Sequence, residues 1–579
     1  MNVVQNINTR KRAEHATLER LLNIYFRENG MHQTVSDTSQ WEIRLNDQLT
    51  LRGTWHYWSP MGHHMYDKAV YLESIGHVSQ LTLLEAITYV LEAMADDAQE
   101  TLLTAIVTRV KQDMHNSITR TARYLEQMTR PAITGNDDYL ISEQSLYLGH
   151  PFHPTPKSAT GFTDEDIEKY APECHAAFQL HYLAVDPTLL VERYVPTYEQ
   201  VVDQTLRQLA EIEAHAYTAT YRLLPVHPYQ IAVLKQEPVI QQYLANGRIQ
   251  DLGQRGDVVY PTSSVRTVFS KKLNIYLKLP IQVRLTNFIR TNDFEQIQRT
   301  LDAAEVVAAI KNEFETPTFK LMFEHGYRAL QPNHDETSLD LLANSAMIVR
   351  EGIVDYGPEV EIHVLASLLE TMPDHVHSKL AGVWQQSGLS CEAWLTLYLN
   401  RVIWPMLDLF VKTGISLEAH VQNTLVTIEE GCPTVCYVRD LEGICVSELI
   451  ATQQGIIPKI IGEESPVVYR HQEAWHRFKY YIIVNHLGHL VSTLGKATGQ
   501  ELLLWKAVNA TLAEWQQKAQ GRDLLIQCLE DLRYNPIFYA KANLMSKLQE
   551  RGEDPIYVKI PNPICEKEGF IDESNHSTS

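Results

Sequence analysis

The sequence predicts an α+β protein, and three patterns lead to that class. Apolar residues recur at helical spacing in the first third of the chain, as between Arg10 and Asn29. From Val258 to Arg290 the pattern becomes that of β-strands. Beyond about Gly352 helical patterns dominate again, interrupted by a loop-and-strand unit from Gly414 to Leu441. Helices and strands thus occupy separate parts of the chain, which is typical of this class, and we expect three lobes.

The first third is expected to be helical with a small sheet. The helix over Arg10–Asn29 should end at Gly30, because glycine accepts the left-handed conformation that often follows a helix. Residues Trp41–Trp58 alternate as strands do. Two further amphipathic helices are predicted over Leu81–Ala95 and Glu100–Gln127.

The middle of the chain begins with a segment that cannot form a regular helix. Tyr147–Phe162 is rich in proline, glycine and histidine. A helix is predicted over Tyr198–Tyr217, then strands over Asn274–Lys278 and Gln282–Thr286, and a helix over Asp293–Asn312.

The charge balance excludes two classes of partner. The chain of 579 residues carries 71 acidic and 50 basic residues, a net charge of −21. Such a surface repels nucleic acid and anionic membranes, so we expect neither as a partner. The longest apolar-rich run, Trp394–Val411, contains Asn400, Arg401 and Asp408 and predicts a buried helix instead of a membrane span. Any anionic substrate must therefore meet a local basic site.

The cysteines and the first residues both favour the cytoplasm. The seven cysteines are scattered, which disfavours a disulfide framework. Cys432 and Cys436 lack a second pair at zinc-site spacing. The chain starts without the apolar stretch of a signal peptide. We expect reduced thiols and a cytoplasmic protein.

The densest motif is the run His150-Pro151-Phe152-His153-Pro154-Thr155-Pro156-Lys157, called here the HP loop. Proline stiffens the loop and holds its polar side chains in place. Two interpretations stay open. The histidines could cap backbone groups of a rigid turn, or Lys157 and the imidazoles could form an anion site.

A second motif inverts the sign of charge. Between Ser263 and Arg290 there are six basic residues and no acidic one. Several of its polar residues share parity and could converge on one face of a sheet, although Pro280 interrupts the register. They are Ser264, Arg266, Lys278, Arg284, Thr286 and Arg290. Hydroxyl and guanidinium groups suit phosphate or carboxylate oxygens, while the alternative is a solvated basic face.

A third motif supplies oxygen ligands. Glu418, His420, Gln422 and Asn423 precede a strand that ends at Asp440. Mg²⁺ is usually held through one or two carboxylates together with phosphate, so these residues could hold a metal and a nucleotide. The alternative is a buried polar network at a hairpin.

Other motifs are dismissed as sites. Gly495-Lys496-Ala497-Thr498 lacks the first glycine of a phosphate loop, because position 490 is leucine. His486 and His489 are expected to be core or surface histidines on a helix. His63 could belong to the rim of an active site or to no site.

Taken together, the three motifs resemble those of the IucA/IucC family of siderophore synthetases. The resemblance implies a three-lobed "cupped hand", with a thumb over residues 1–140, fingers over 141–350 and a palm over 351–579. It implies an enzyme that uses ATP and Mg²⁺ to adenylate a carboxylate, forms an amide with an amine and releases AMP and pyrophosphate, and that could be a homodimer. Within that family, three stretches are most similar to members that join citrate to L-2,3-diaminopropionate, and the resemblance therefore implies these two substrates. The stretches are Tyr147–Gly161, Val258–Ile275 and Glu473–Gly495.

The resemblance also implies roles for individual residues. The nucleotide would be bound by His153, Lys157, Ser264, Arg266, Thr267, Lys278, Asn423 and Asp440. Citrate would be held by Thr286, Asn287, Arg290, His420 and Gln422, and Mg²⁺ by Glu418 and Asp440. Catalytic roles would fall to His153, Arg290 and His420. Competing hypotheses are a family member using another carboxylic acid or citrate monoamide, a kinase-like phosphotransferase that forms ADP, and an iron–citrate binder without turnover.

Overall fold

The computed structural model of the protein describes residues 2–30, 39–95, 100–128, 137–212, 221–286, 288–333, 338–357, 359–372, 377–552 and 554–565. Within these ranges helices and strands are mixed, as the α+β prediction requires. No described helix has the length and apolar character needed to cross a membrane.

Helices dominate the two ends of the chain. They are α1 Asn2–Glu28, α2 Leu83–Ala95, α3 Glu100–Gln127, α4 Asp138–Glu143, α5 Asp164–Tyr170, α6 Pro196–Glu199, α7 Val202–Ala210, α8 Gln230–Leu234, α9 Pro238–Ala245, α10 Phe294–Phe314, α11 Leu339–Ser345, α12 Leu365–Leu369, α13 Lys379–Gln386, α14 Cys391–Tyr398, α15 Trp404–Thr413, α16 Glu448–Gln453, α17 His471–Phe478, α18 Gly488–Thr498, α19 Glu501–Lys518, α20 Asp523–Tyr534 and α21 Asn543–Leu548. Turns of π-helix over Leu399–Ile403 and Lys479–Leu487 join α14 to α15 and α17 to α18.

Strands are most frequent in the middle of the chain. They are β1 Gln40–Arg44, β2 Thr50–Tyr57, β3 Met65–Ser74, β4 His77–Gln80, β5 Ala159–Thr160, β6 Phe178–Val185, β7 Leu190–Tyr194, β8 Arg222–Val226, β9 Ile249–Pro261, β10 Thr267–Ser270, β11 Ile275–Lys278, β12 Ile281–Leu285, β13 Phe288–Arg290, β14 Phe319–Leu321, β15 Glu324–Leu330, β16 Met347–Glu351, β17 Glu361–Val364, β18 Ile415–Ser416, β19 Thr424–Glu429, β20 Cys432–Val438, β21 Cys445–Ser447, β22 Val468–Tyr469, β23 Ile537–Lys541 and β24 Tyr557–Pro561.

Two sheets and a small third one position the site. The largest has the order β7-β15-β16-β11-β10-β9-β6-β8, and its paired strands are antiparallel. The strands β13-β12-β5 form a small sheet, and its strand β5 follows the HP loop directly in the chain. The order β14-β20-β19-β17 forms another, in which β14 runs parallel to β20. Because β14 and β20 lie more than a hundred residues apart in sequence, this pairing joins the middle of the chain to its last third.

Most of the predicted elements are confirmed. The first helix ends at Glu28, and Gly30 has a φ of 70°. The helix α3 covers Glu100–Gln127 as predicted. The helix α10 begins where Asp293 caps it, its side chain accepting from the backbone N–H of Gln296. The HP loop contains no helix.

One predicted helix was wrong in its extent. In place of Tyr198–Tyr217 the chain forms α6 and α7 as separate short helices, and α7 ends at Ala210. Glu211 turns the backbone into the left-handed region, with a φ of 51°, which stops the helix. The last residues of that prediction, from 213 onward, lie outside the described ranges.

The core does not follow the predicted lobes strictly. One apolar cluster combines α1 and α3 with Ile281, Val283 and Leu544 from later parts of the chain. The carboxylate of Glu28 accepts the backbone N–H groups of Leu544 and Met545 at 3.0 and 2.8 Å, which fixes α1 to the start of α21. The lobe boundaries at residues 140 and 350 therefore stay a prediction.

Candidate active site

A cavity of about 1510 Å³ lies where the sheets and the C-terminal helices meet. Pockets for a single small ligand usually measure roughly 300–1,000 Å³, so this one has room for more than one molecule. Most of the predicted site residues line it: Lys157, Ser264, Arg266, Thr267, Lys278, Thr286, Arg290, Glu418, His420, Gln422, Asn423 and Asp440. Asn287 lies outside the described residues.

The segment that leads into the HP loop is held by one half-buried carboxylate. Glu370 accepts the backbone N–H groups of Tyr147, Leu148 and Gly149 at 2.8, 2.8 and 3.0 Å. Burial raises the pKa of Glu370. Nothing local in the sequence links position 370 to this loop, so sequence reasoning missed it.

The histidines of the HP loop act as caps. His150 Nδ1 accepts the N–H of Phe152 at 3.0 Å, and His153 Nδ1 accepts the N–H of Thr155 at 3.1 Å. His150 lines the cavity, whereas the buried His153 is not among the lining residues. Lys157 lines the cavity but is already paired with the buried carboxylate of Glu173. The capping interpretation is thus confirmed, and the nucleotide role of His153 stays a prediction that its position does not favour.

The turn between β9 and β10 presents hydroxyls to the cavity. Val265 has a φ of 67°, an unusual value for a β-branched residue. The turn is closed by the N–H of Val265 donating to the carbonyl of Thr262 at 2.8 Å. Ser264 and Thr267 line the cavity beside it, next to Arg266.

Arg266 is buried and held by neutral acceptors. Its Nη1 donates to the carbonyl of Thr291 at 2.7 Å and to Asn292 Oδ1 at 2.6 Å. Because neither acceptor is a carboxylate, the positive charge of Arg266 is not cancelled by these bonds.

Lys278 forms the centre of a buried charge cluster. The β10–β11 register places it opposite Thr267. Its Nζ donates to Asp440 Oδ1 at 2.8 Å and to Glu442 Oε2 at 2.7 Å. Burial opposes the charge of Lys278, but the two carboxylates outweigh it and raise the lysine pKa. Asp440, which also lies 3.4 Å from Arg350, is kept ionised because these cations outweigh burial and hold its pKa below the usual range.

Arg290 is the contrasting cation. Its Nη2 donates to Thr286 Oγ1 at 3.1 Å. Among the described residues it forms no ion pair. Burial, assisted by the nearby Arg266, lowers its pKa to about 10, so it remains charged at neutral pH. An unpaired guanidinium beside a second one is a site for a carboxylate or phosphate group.

The loop before β19 adds a neutral imidazole. Burial lowers the pKa of His420 to about 4. Its Nδ1 accepts the N–H of Gln422 at 3.3 Å, which assigns the proton to Nε2. That N–H is free to donate to a ligand oxygen, because Glu418 lies 3.9 Å away. Asn423 instead donates to the carbonyl of Glu418 at 3.1 Å.

Carboxylates from this loop and from the segment after β20 fit a magnesium site in part. Glu418, Asp440 and Glu442 all line the cavity, and oxygen donors are what Mg²⁺ prefers. The described residues contain no group of three ligands already arranged around one point. Mg²⁺ needs only one or two carboxylates when phosphate supplies the rest, so the donor set suits a metal that arrives with a nucleotide.

Sequence reasoning missed several residues of the site. The buried pair of Arg439 and Glu143 joins α4 to the end of β20, and Arg439 also donates to the carbonyl of Gln422 at 2.9 Å. Lys541 donates to Tyr481 at 3.1 Å at the cavity wall. These partners are far apart in the sequence, and no motif signals them.

Each of the dismissed motifs contributes a residue to the cavity wall: His63, His489 and Lys496. Gly495–Thr498 is helical within α18, as expected for a segment that is not a phosphate loop. His486 is a core residue bonded to Tyr398 at 2.6 Å. His63 and His489, however, stack in the cavity with ring centroids 4.9 Å apart.

The fold and the cavity define an α+β protein with one large cavity lined by Arg266, Lys278 and Arg290. The chain belongs to the IucA/IucC family. The family model "IucA / IucC family" matches residues 138–370, and the model "Ferric iron reductase FhuF-like transporter" matches residues 392–556.

Individual relatives extend the match to the whole chain. The L-2,3-diaminopropanoate–citrate ligase of Staphylococcus aureus is 56% identical over 99% of this chain and 100% of its own length. The spermidine–citrate ligase of Bacillus anthracis is 25% identical over 95% of this chain and 98% of its own. The solved structure of ATP-bound aerobactin synthetase IucA from Klebsiella pneumoniae has a TM-score of 0.84 at 24% identity, covering 95% of this chain and 100% of that one. This last likeness establishes the shared fold.

Proposed function

We propose that the protein is an ATP-dependent ligase that joins citrate to L-2,3-diaminopropionate during siderophore biosynthesis. The observation that carries the proposal is the 56% identity to the S. aureus ligase over essentially the whole chain. The cavity supports it, because the unpaired Arg290 and the buried Arg266 suit the carboxylates of citrate.

The charge of the substrates explains the arrangement. Citrate is close to trianionic at neutral pH, and ATP brings further negative charge, so the two repel each other strongly outside water. The cations Arg266, Lys278 and Arg290 line one cavity and offset that repulsion. We assign Ser264, Thr267 and Lys278 to the phosphates and Thr286, Arg290 and the Nε2–H of His420 to citrate.

The first step forms an acyl-adenylate. A carboxylate oxygen of citrate attacks the α-phosphorus of ATP, the bond from that phosphorus to the bridging oxygen breaks, and pyrophosphate leaves. Arg290 orients the carboxylate, while Lys278 stabilises the charge on the phosphate. Glu418 and Asp440 would hold Mg²⁺, which when bound neutralises phosphate charge.

The second step forms the amide. The neutral amine nitrogen of diaminopropionate attacks the acyl carbon of the citryl-adenylate, the carbon–oxygen bond to AMP breaks, and the proton on nitrogen passes to solvent. His420 cannot accept that proton through Nδ1, which is occupied by the N–H of Gln422. Its Nε2–H would instead donate to the acyl oxygen as negative charge develops there.

Product analysis tests the proposal. The purified protein is incubated with ATP, Mg²⁺, citrate and L-2,3-diaminopropionate, with each omitted in turn, and the products are identified by mass spectrometry. We expect AMP, pyrophosphate and a citryl amide, with pyrophosphate released only when citrate is present. ADP would indicate the kinase-like phosphotransferase, ferric citrate binding without turnover would indicate the binder, and either result would overturn the proposal.

We further propose a cytoplasmic location and a homodimer. Light scattering of the purified protein measures the oligomeric state.

A further inference from the structure

The cavity extends beyond the residues used above into a second region between α1 and α18. We call it the α1–α18 arm. It is lined by Glu19, His63, His489, Thr493 and Lys496. None of these residues has a role in the adenylation chemistry proposed above.

One helix supplies most of the arm's polar groups. His489, Thr493 and Lys496 stand at positions i, i+4 and i+7 of α18, so they share one face of that helix. The hydroxyl of Thr493 donates to the carbonyl of His489 at 2.8 Å. The spacing presents an imidazole, a hydroxyl and an ammonium group to the cavity in one row.

Lys496 has no fixed partner. In the part of the chain that the structure describes, its ammonium group forms no hydrogen bond or ion pair, and it lies 6.0 Å from the centre of the Tyr57 ring. The buried carboxylate of Glu501 is near, but it is bonded to Ser59, Ser492 and Trp505 at 3.0, 3.0 and 3.2 Å and does not line the cavity. Lys496 is half-buried, and its partial removal from water without a partner lowers the pKa of its ammonium group.

The surroundings of Lys496 differ from a polyanion site. Its electrostatic neighbours include the carboxylates of Glu19 and Glu501. The stacked His63 and His489 are neutral, because burial lowers the pKa of both, that of His489 to about 3. Lys496 and Glu19 supply one ammonium group and one carboxylate to the same cavity wall, which matches the two charges of a zwitterion and leaves no net positive charge for a trianion.

Two contacts connect the arm to the citrate region. His486, three residues before His489, bonds through Nδ1 to the carbonyl of Ala419 at 2.8 Å, directly beside His420. His63, which stacks on His489, also packs against Phe152 of the HP loop with ring centroids 4.7 Å apart. The arm and the citrate region therefore meet within one cavity near His489.

We propose that the α1–α18 arm is the subsite for the amino-acid end of the amine substrate, with Lys496 binding its carboxylate and Glu19 facing its α-ammonium group. The side-chain amine, three bonds from that carboxylate, would then point along α18 toward His489 and the acyl carbon. This inference rests on the proposed function, since it concerns the second substrate of that reaction. It makes Lys496 the residue that selects amino acids over simple diamines.

The test compares two amines in the full-length protein. Citrate-dependent AMP release is measured with L-2,3-diaminopropionate and with 1,2-diaminoethane, which has the same two amines but no carboxylate. We expect the unaltered protein to prefer the amino acid by about 10- to 100-fold in kcat/KM, as for one charge-assisted hydrogen bond. In Lys496→Met the preference should fall about tenfold or more, because kcat/KM falls for L-2,3-diaminopropionate and not for 1,2-diaminoethane. Lys496→Arg should keep part of the preference.

The controls separate the two proposals. Lys506→Met, on the exposed face of α19, should leave both amines unchanged. Equal use of the two amines by the unaltered protein, or an equal loss for both in Lys496→Met, would overturn the subsite. The comparison of the two amines in the unaltered protein needs no variant, so it tests the subsite even if Lys496→Met does not fold. Absence of citrate-dependent pyrophosphate release from the unaltered protein would instead overturn the proposed function.

Discussion

Two cationic regions line the same cavity and are built differently. Around Lys278 the cations and the carboxylates of Asp440 and Glu442 form a network in which most charges are paired before any substrate arrives. In the α1–α18 arm the imidazoles are neutral and Lys496 has no partner within the described chain. The difference indicates that the first region is rigid and organised for highly charged ligands, whereas the second depends on its ligand for compensation.

The substitution expected to have the largest effect is Lys278→Met, which removes the central cation of the paired region. Removing the ammonium group leaves Asp440 and Glu442 without their shared partner in a buried place. We expect kcat/KM for citrate-dependent pyrophosphate release to fall about 1,000-fold, and the free energy of unfolding to fall by about 3 kcal/mol. Pyrophosphate assays and urea unfolding measure the two effects.

The matched control for that variant is Lys412→Met. Lys412 forms an exposed pair with Asp408 at 2.7 Å on α15. Its loss should cost less than about 1 kcal/mol and no activity. A similar loss of stability in both variants would contradict a paired, buried network around Lys278.

Arg290→Ala should give the next largest effect. Arg290, like Arg266, has no carboxylate partner among the described residues, so its charge is available to a carboxylate of citrate. We expect the KM for citrate to rise about 100-fold, while ATP affinity measured by calorimetry changes little. Arg193→Ala, which breaks only an exposed pair with Glu305, should change neither. A loss of ATP affinity with an unchanged KM for citrate would move Arg290 to the nucleotide.

Glu370→Gln tests the HP loop, whose His150 lines the same cavity. The amide offers one acceptor where the carboxylate accepts three N–H groups. We expect a loss of about 1–3 kcal/mol in the free energy of unfolding and roughly a tenfold loss of kcat/KM as the loop moves. The exposed Glu514→Gln should match the unaltered protein, and an equally active Glu370→Gln would separate the loop from catalysis.

The smallest effect concerns the neutral imidazoles of the arm. Burial lowers the pKa of His489 to about 3, below its ordinary value near 6.5. As the pH falls below 6.5, His489 binds a proton in the unfolded chain but stays neutral in the folded one. The stability that is present above pH 6.5 is therefore lost progressively toward pH 3. Between pH 7 and pH 5 the free energy of unfolding of His489→Gln should therefore fall by about 1–2 kcal/mol less than that of the unaltered protein.

Urea unfolding at pH 7 and pH 5 measures this difference. The exposed His77→Gln should keep the pH dependence of the unaltered protein. An unchanged slope in His489→Gln would mean that His489 takes up its proton in the folded state as readily as in the unfolded one.

Local patterns predicted much of the secondary structure. The helix α3 and the cap at Asp293 follow from spacing and side-chain chemistry that lie within a few residues. The helix predicted to reach Tyr217 failed because Glu211 reverses the backbone, and no glycine announces that turn. Periodicity reports which face is apolar, and it does not report where a polar residue will leave the helical region.

The basic segment was predicted correctly as a group and incorrectly in one member. Arg266 and Lys278 line the cavity, as their shared parity suggested, and Arg290 lines it from the small sheet beyond Pro280. Arg284 is exposed on β12 and is not among the lining residues. After Pro280 the chain enters a different small sheet, so parity no longer refers to the same face.

By itself the sequence determined the inverted sign of charge in the Ser263–Arg290 segment, the stiff HP loop and the oxygen donors near Glu418. Only the tertiary structure decided which charges are cancelled: Lys157 by Glu173, Lys278 by Asp440 and Glu442. It also decided that Arg290 and Lys496 are left for ligands. Pairing depends on distances of a few ångströms between groups that lie far apart along the chain, and electrostatic energy falls off with that distance and not with sequence separation.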